Sequence, residues 1–391
     1  MAVLLRWSPN RRGHNTPNIV DCPLMEPISL PELPSILDFG SFNRGSIGLR
    51  PVGLQKLELS DGQQLPFLGG SQGFCNLEIF LEIGDQLAVT KVNHRSATRW
   101  ADSFGCGEFG LALSALTKKR PPFSGLTSNK PIIMGIINVT PDSFYAGSRI
   151  DPTNAADIAC RMIEDGADII DVGGESTRPG SNPTPPEQEM DRVIPVIERL
   201  KGCGIPLSVD TRRPAVMREA ISSGVSIVND VTALSDEDAI TVLRENPKVS
   251  VVLMHAQGSP KNMQNNPKYN HVTYEVFSFL RRQVVKCQAA GIDRSRIAVD
   301  PGFGFGKNLG HNVQMLRELA MLHCIGCTLL VGVSRKSFLG AIVNEADPEG
   351  RLAASIAASI AASSQGAQIH RVHDVREISQ ALALVDRVTT H

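Results

Sequence analysis

The run Ser222-Ser223-Gly224-Val225-Ser226-Ile227-Val228-Asn229-Asp230 (SSGVSIVND) holds the plan of a whole domain in nine residues. A helical pattern stops at a glycine, a short apolar run follows, and the run ends in polar side chains. Glycine just past a helix end takes the left-handed cap conformation, and an unalternating apolar run of this length reads as a strand buried on both faces. The same layout recurs in EDGADIIDVG (164–173), GCGIPLSVD (202–210), AAGIDRSRIAVDP (289–301), HCIGCTLLVGVS (323–334) and SQGAQIHRVHD (364–374). With PIIMGIIN (131–138) and KVSVVLMH (248–255), the strand candidates number eight. Helical patterns separate most of them, such as Thr184 to Leu200, whose opening Thr-Pro-Pro-Glu reads as a capping box. The gap between the third and fourth strands is short but still holds MREAIS (217–222). Eight βα units across residues 131–391 predict a (β/α)8 TIM barrel, a fold of about 250 residues. A doubly wound parallel sheet is the alternative, and the eightfold count argues against it.

Upstream the pattern differs. Residues 1 to 50 carry six prolines (Pro9, Pro17, Pro23, Pro27, Pro31, Pro34) and little periodicity. Leu57 and Leu59 then alternate before a tight turn at Asp61-Gly62; Leu77, Ile79 and Leu81 alternate again, and LAVTKV (87–92) reads as a further strand. The helical run LALSALTKK (111–119) follows, then the Pro/Ser/Gly/Asn-rich PPFSGLTSNKP (121–131). The expected organisation is a small α+β module over 1–120 without chemical motifs, a linker over 121–130, and the barrel over 131–391.

Composition bounds the chemistry. An apolar share of 42% and a charged share of 20% belong to a globular protein, and a net charge of -1 argues against bulk electrostatic binding to nucleic acid or membrane. No apolar run approaches the ~18 residues of a membrane span, and MAVLLRWSPNRRG has too few apolar residues for a signal-peptide core. Eight dispersed cysteines then read as reduced thiols in the cytoplasm. The one CxxC, Cys324 to Cys327, has no second pair to complete a zinc site.

In a βα barrel the C-terminal strand ends converge on one face, which is where chemistry resides. Here they carry Asn138; Glu175-Ser176-Thr177-Arg178; Asp210; Asn229; His255; Asp300; Ser334-Arg335-Lys336; and Arg371 with His373. A single strand-end Asp or Asn is as often a helix cap. Polar groups on nearly every strand end are harder to explain as capping. Asp210 and Asp300 suit an N–H-rich ring, Asn229 both donates and accepts, and Lys336 supplies a charged donor. Arg371 and His373 end the last strand, where many barrels bind phosphate. Asn138 offers a neutral oxygen to a magnesium ion that takes its remaining ligands from phosphates. His255 reads as a strand-end structural group.

The stretch DPGFGFGK (300–307) has the look of a phosphate cradle, with alternating glycines and a closing lysine. A Walker loop, however, needs four residues between its glycines and then Gly-Lys-Ser/Thr, whereas Asn308 follows Lys307. Nucleotide binding is therefore not expected, and the glycines serve a tight turn behind Asp300.

The motifs INVTPDSF (137–144), DVGGESTRPG (171–180), SVDT (208–211), VND (228–230), DPGFGFGKN (300–308), SRKSFLG (334–340) and RVHD (371–374) stand in barrel order. Over 131–391 the chain resembles the dihydropteroate synthases. The resemblance implies condensation of 6-hydroxymethyl-7,8-dihydropterin pyrophosphate with p-aminobenzoate by a dissociative, SN1-like step, Mg2+ dependence, a homodimer and competition by sulfonamides. It implies that Asp210, Asn229, Met254, Asp300 and Lys336 hold the pterin, with Arg371 reaching it too. Asn138, Arg371 and His373 would hold the pyrophosphate, with Asn138 on the metal. Phe144, Thr177, Arg178, Pro179, Phe305, Gly306 and Ser334 would line the aminobenzoate side. The residues implied in catalysis are Asn138, Arg178, Asp210, Lys336, Arg371 and His373.

The chain departs from that pattern in the first loop, where Tyr145-Ala146-Gly147-Ser148 stands in place of Ser-Asp-Gly-Gly, and at Ala256, where methionine is common. Two other readings remain at this stage: a pterin-binding paralogue without synthase activity, and a folate-dependent methyltransferase of the corrinoid type. The latter is not expected to carry the STRPG, SRK and RVH motifs together.

Overall fold

The computed structural model describes residues 47–58, 62–83, 86–103, 107–139, 152–176, 181–258 and 261–390. Eight parallel strands close into a barrel in chain order: β7 (Ile132–Asn138), β8 (Ile169–Gly173), β9 (Leu207–Asp210), β10 (Ile227–Asp230), β11 (Ser250–Met254), β12 (Ile297–Asp300), β13 (Thr328–Val331) and β14 (Ile369–Val372), with β14 pairing back onto β7. Closure excludes the doubly wound alternative. The helices after each strand are α3 (Pro152–Glu164), α4 (Pro186–Leu200), α5 (Pro214–Ser223), α6 (Glu237–Glu245), α7 (Val272–Ala289), α8 (Leu309–Arg317), then α9 (Ser337–Val343) with α10 (Leu352–Ser364), and α11 (Val375–Thr390). Gly224 closes α5 in the left-handed conformation at φ 117°, its N–H bonded to Ala220 O, as the opening pattern predicts.

One expectation fails at α4. Pro185 occupies the N-cap and no side-chain cap bond forms. Thr184 is drawn away instead: its N–H donates to Glu175 Oε1 at 2.9 Å and its hydroxyl accepts from Arg192 at 3.3 Å. A buried carboxylate needs N–H donors more than a helix already started by two prolines needs a cap.

The period-2 geometry of the strands splits the barrel core into two apolar sets. Ile133, Ile137, Ile170, Val172, Val209, Val228, Leu253, Val299 and Val331 belong to the set that packs with the helices. Ile132, Met134, Ile169, Ile227, Val252, Ala298, Leu330 and Ile369 form the separate inner set. Two residues further along the same inward rows stand Asp171, Asn229, Met254, Asp300 and Arg371. The barrel is thus apolar at its N-terminal end and polar at its C-terminal mouth.

Phe123, from the stretch expected as a linker, joins the inner set at 1% exposure. A two-residue bridge, Phe123 with Leu126, folds this stretch back so that it plugs the N-terminal end of the barrel.

The N-terminal part is α+β: β1 (Gly48–Val52), β5 (Asn76–Ile83) and β6 (Gln86–Asn93) form one antiparallel sheet, while β2 (Gln55–Lys56), β3 (Leu65–Pro66) and β4 (Gln72–Phe74) form another. Helices α1 (His94–Ser103) and α2 (Glu108–Thr117) follow. Asp61 of the expected turn lies outside the described residues. The module shares one apolar cluster with the outer barrel, including Leu49, Phe80, Leu116, Met321 and Leu322. Arg120 is buried in the junction, donating to Ala115 O (2.7 Å), Lys118 O (3.2 Å), His323 O (2.7 Å) and Cys327 O (3.0 Å). Cys324 Sγ meets Leu49 N at 3.3 Å and Leu49 O at 3.1 Å, so this end of the CxxC pair is a docking contact. Burial pushes both thiols up to about 12, which makes them inert.

Candidate active site

Inward residues of different strands meet at the barrel mouth. Arg371 on β14 donates from Nε to Asp171 Oδ2 and from Nη2 to Asp210 Oδ2, each at 2.7 Å. Asn229 Nδ2 donates to the same Asp171 oxygen at 3.0 Å. Asp171 is fully buried, so its carboxylate depends on these charged and amide donors. Burial works against the Arg371 charge, but Asp171 and Asp210 outweigh it and hold the guanidinium above its ordinary range. Burial raises the Asp210 carboxyl; Arg371 opposes that, while Asp171 and Glu189 add to it.

The opposite wall is built from β12 and the turn after β13. Asp300 is 5% exposed, pairs in register with Met254, and accepts from Gly302 N at 2.7 Å. Burial raises its carboxyl, with the Gly302 N–H and Lys336 opposing. Lys336 Nζ lies 4.2 Å from the Phe305 ring centroid. Burial lowers the Lys336 ammonium to about 8 against the pull of Asp300. Lys336 also feels Asp210, and Arg371 feels Asp300, so the two walls lie within electrostatic reach of each other.

The glycine-alternating turn follows Asp300, between Lys336 and the segment after β11. Gly302, Gly304 and Gly306 take φ of +67°, +79° and +62°. A Cβ on Gly302 would meet His255 O at 2.0 Å, and one on Gly306 would meet Gln257 O at 2.3 Å. These glycines let the β12 turn press against the segment after β11, and no phosphate site is needed to explain them. Tyr269 Oη donates to Gly306 O at 2.9 Å from that segment. His255 is buried beside Lys307 and is pushed down to about 2 by burial and that cation, in keeping with a structural role.

Ser334, Lys336 and His373 depend on one strained residue. Arg335 sits at φ +59°, with its N–H on Ser355 Oγ (2.9 Å), its Nε on Asp374 Oδ2 (3.0 Å) and its carbonyl accepting from Arg351 (3.0 Å). A non-glycine residue persists there only when its surroundings over-determine it, and such strain clusters at functional sites. Beside it, Ser334 Oγ lies 3.1 Å from His373 Nδ1 and accepts from His373 N at 3.2 Å. Burial, Arg371 and Arg335 push His373 down to about 3, so it is neutral at physiological pH.

Asn138 ends β7 beside Gly173, its register partner; a Cβ there would lie 3.6 Å from Asn138 Oδ1 and 3.7 Å from Asp210 Oδ2. Among the described residues no group of three His, Cys, Asp or Glu side chains forms a metal cage. A neutral oxygen at the mouth with few other protein donors fits a magnesium ion that takes most of its ligands from phosphates and water.

Phe144, Thr177, Arg178, Pro179 and the Tyr145–Ser148 departure lie outside the described residues. Glu175, just before the second of these segments, is anchored by Arg212 Nε at 3.0 Å and Arg213 Nη2 at 2.9 Å. Sequence reasoning did not single out Asp171, the hub of one wall. The available signal was an acidic residue at an inward position within the apolar strand IIDVG.

A family model described as pterin binding enzyme matches residues 134–373. Dihydropteroate synthase from Escherichia coli (strain K12) is 46% identical over 268 residues, covering 67% of this chain and 93% of that protein. The enzyme from Neisseria meningitidis serogroup C is 46% identical over 258 residues, covering 65% and 91%. Among solved structures, Xanthomonas albilineans dihydropteroate synthase in complex with 7,8-dihydropteroate matches with a TM-score of 0.62 at 41% identity, covering 68% of this chain and 96% of that one. The Yersinia pestis enzyme with a sulfonamide drug complex matches with a TM-score of 0.65 at 42% identity, covering 68% and 97%.

Proposed function

This chain belongs to the dihydropteroate synthase family of pterin-binding enzymes, and on that footing we propose that it condenses 6-hydroxymethyl-7,8-dihydropterin pyrophosphate with p-aminobenzoate, giving 7,8-dihydropteroate and pyrophosphate in folate biosynthesis. The observation that carries the reading is the inward row of Asp171, Asp210, Asn229 and Arg371 facing Asp300 and Lys336 across the barrel mouth. Two carboxylates, an amide and an ammonium complement a flat ring with N–H groups on one edge and a carbonyl on another. In this reading Asp210, Asn229, Met254, Asp300 and Lys336 hold the ring, and Asp171 positions Asn229 and Arg371 without touching the substrate.

The leaving pyrophosphate is assigned to Asn138, Arg371 and His373. His373 serves as a neutral hydrogen-bonding group there, and Arg371 carries the charge that stabilises the departing anion. What magnesium supplies when bound, with Asn138 as its protein ligand, is further neutralisation of the phosphate oxygens. Departure leaves a pterin methylene cation between buried carboxylates, which favours a dissociative, SN1-like step. The aminobenzoate nitrogen is neutral at pH 7 and attacks without a strong general base, consistent with a site that offers a neutral His373. Phe305, Gly306 and Ser334 line its approach, with Phe144, Thr177, Arg178 and Pro179 assigned to the same side.

Sulfonamides, which the Yersinia pestis relative binds, are expected to compete with p-aminobenzoate. A homodimer belongs to the same reading; Leu384 and Val388 on α11, 66% and 71% exposed, leave apolar surface for a second copy. So does a cytoplasmic location, and no helix among the described residues is long and apolar enough to cross a membrane. The test is pyrophosphate release from the pterin pyrophosphate with magnesium, with and without p-aminobenzoate. Aminobenzoate-dependent release together with 7,8-dihydropteroate formation is expected. Pterin binding without such release would favour a non-catalytic pterin binder.

A further inference from the structure

Lys307 is 2% exposed, and its ammonium is held by carbonyls and an imidazole instead of a carboxylate. Nζ lies 2.9 Å from His255 Nδ1, 3.0 Å from Gly302 O, 3.0 Å from Phe305 O and 3.4 Å from His255 O. Two of these acceptors belong to the turn Gly302–Phe305, which is closed by Phe305 N on Gly302 O at 3.1 Å. The positive φ of Gly302 and Gly304 is what allows this turn to wrap the cation. The other two acceptors belong to His255, at the end of the neighbouring strand. Lys307 therefore ties the turn both to itself and to the segment after β11.

A methionine would fill nearly the same volume without the cost of burying an ammonium, which burial lowers to about 7 against the pull of Asp300 and which has no carboxylate among its hydrogen-bond partners. That cost is tolerable where a compact three-donor head binds Phe305 O and His255 and adds a second donor to Gly302 O. On the far side of the same turn, the Phe305 ring meets Lys336, and Gly306 is held by Tyr269. We infer that Lys307 is a positioning residue for the assigned reaction: it fixes the Phe305–Gly306 wall in its binding geometry before p-aminobenzoate arrives. This rests on the function proposed above and adds a residue to it. Preorganisation of this kind acts on the affinity for the second substrate, because the ordering cost is met before binding.

The test is a split between the substrates, measured on the full chain with magnesium. In Lys307→Met, the KM for p-aminobenzoate should rise about tenfold or more, since a wall must then be ordered on binding. The Kd for pterin pyrophosphate, measured by calorimetry without aminobenzoate, should change several-fold less than that KM, the residual effect coming from the charge that Lys307 presents to Asp300. Lys307→Arg should not restore the KM, because a planar fork cannot place its donors on the same acceptors. A folded Lys307→Met enzyme with an unchanged aminobenzoate KM, or with equal losses for both substrates, overturns the inference. If that variant does not fold, hydrogen exchange of the wild-type segment 300–308 decides: protection already complete in the pterin-bound enzyme supports it, and protection acquired only on adding p-aminobenzoate overturns it. Absence of aminobenzoate-dependent pyrophosphate release from the wild type would count against the assigned reaction alone, since exchange is read without turnover.

Discussion

Arg371 and Asp171 stand 200 residues apart in the chain and 2.7 Å apart in the barrel. Their contact spans the seam where the last strand closes onto the first, because β14 and β8 flank β7 on either side. The same Asp171 oxygen also takes Asn229, so one buried carboxylate sets two neighbours.

Asp171→Asn should therefore cost stability and binding together. Removing one charge of a buried pair leaves the other poorly compensated, a loss of about 3 kcal/mol. Urea unfolding would show a lowered midpoint at unchanged slope, and calorimetry a weakened pterin affinity. An unchanged midpoint would show that the pairing of Asp171 with Arg371 adds nothing to stability.

Asp210→Asn should act on the ligand more than on the fold. Loss of a charge-assisted acceptor for a ring N–H weakens pterin binding by about 10- to 100-fold. Direct titration with the pterin pyrophosphate reads this. Affinity equal to wild type would remove Asp210 from the pocket.

Pterin affinity should be bell-shaped in pH. Burial raises the Asp210 carboxyl, so the ionised acceptor is lost as pH falls, already above the usual carboxylate range. Burial lowers the Lys336 ammonium to about 8, so the charged donor is lost as pH rises through that value. Titrations across pH should show both limbs, and Lys336→Met should flatten the alkaline one.

Gly302→Ala and Gly304→Ala should differ in severity. Both positions have positive φ, which costs a side chain about 1–2 kcal/mol. At Gly304 the new methyl would meet only the flexible Lys336 Cδ at 3.4 Å, whereas at Gly302 it would strike His255 O at 2.0 Å. Thermal unfolding should rank Gly302→Ala well below Gly304→Ala, and Gly302→Ala should lose most activity. Equal melting temperatures would contradict the close approach of the two segments.

Arg120→Ala should loosen the N-terminal module. Two buried carbonyls across the junction, His323 O and Cys327 O, and two part-buried ones, Ala115 O and Lys118 O, lose a charged donor, for a cost of about 3 kcal/mol. Wild-type unfolding is expected as one transition, since one apolar cluster spans module and barrel. In the variant, limited proteolysis should cut the module first. A variant as resistant as wild type would mean the apolar contact alone holds the junction.

What the linear chain determined was periodic and local. Glycine-stopped helices followed by short apolar runs specify a parallel barrel, because backbone geometry alone dictates where such runs can be buried. Strand ends bearing Asn138, Asp210, Asn229, Asp300, Lys336 and Arg371 could be read as one face for the same reason. Tertiary structure alone decided how those groups pair. Asp171 became a hub because closure brings the inward ends of non-adjacent strands to one mouth, and Lys307 turned from an apparent phosphate ligand into a buried tie because Gly302 and Gly304 let the turn wrap around it. Phe123 left its expected linker for the barrel floor, since an open barrel end exposes apolar side chains that some residue must cover. Thr184 gave up its cap because Glu175, buried beside it, needed the N–H. Each of these outcomes depends on burial and pairing between distant segments, quantities that no local pattern contains.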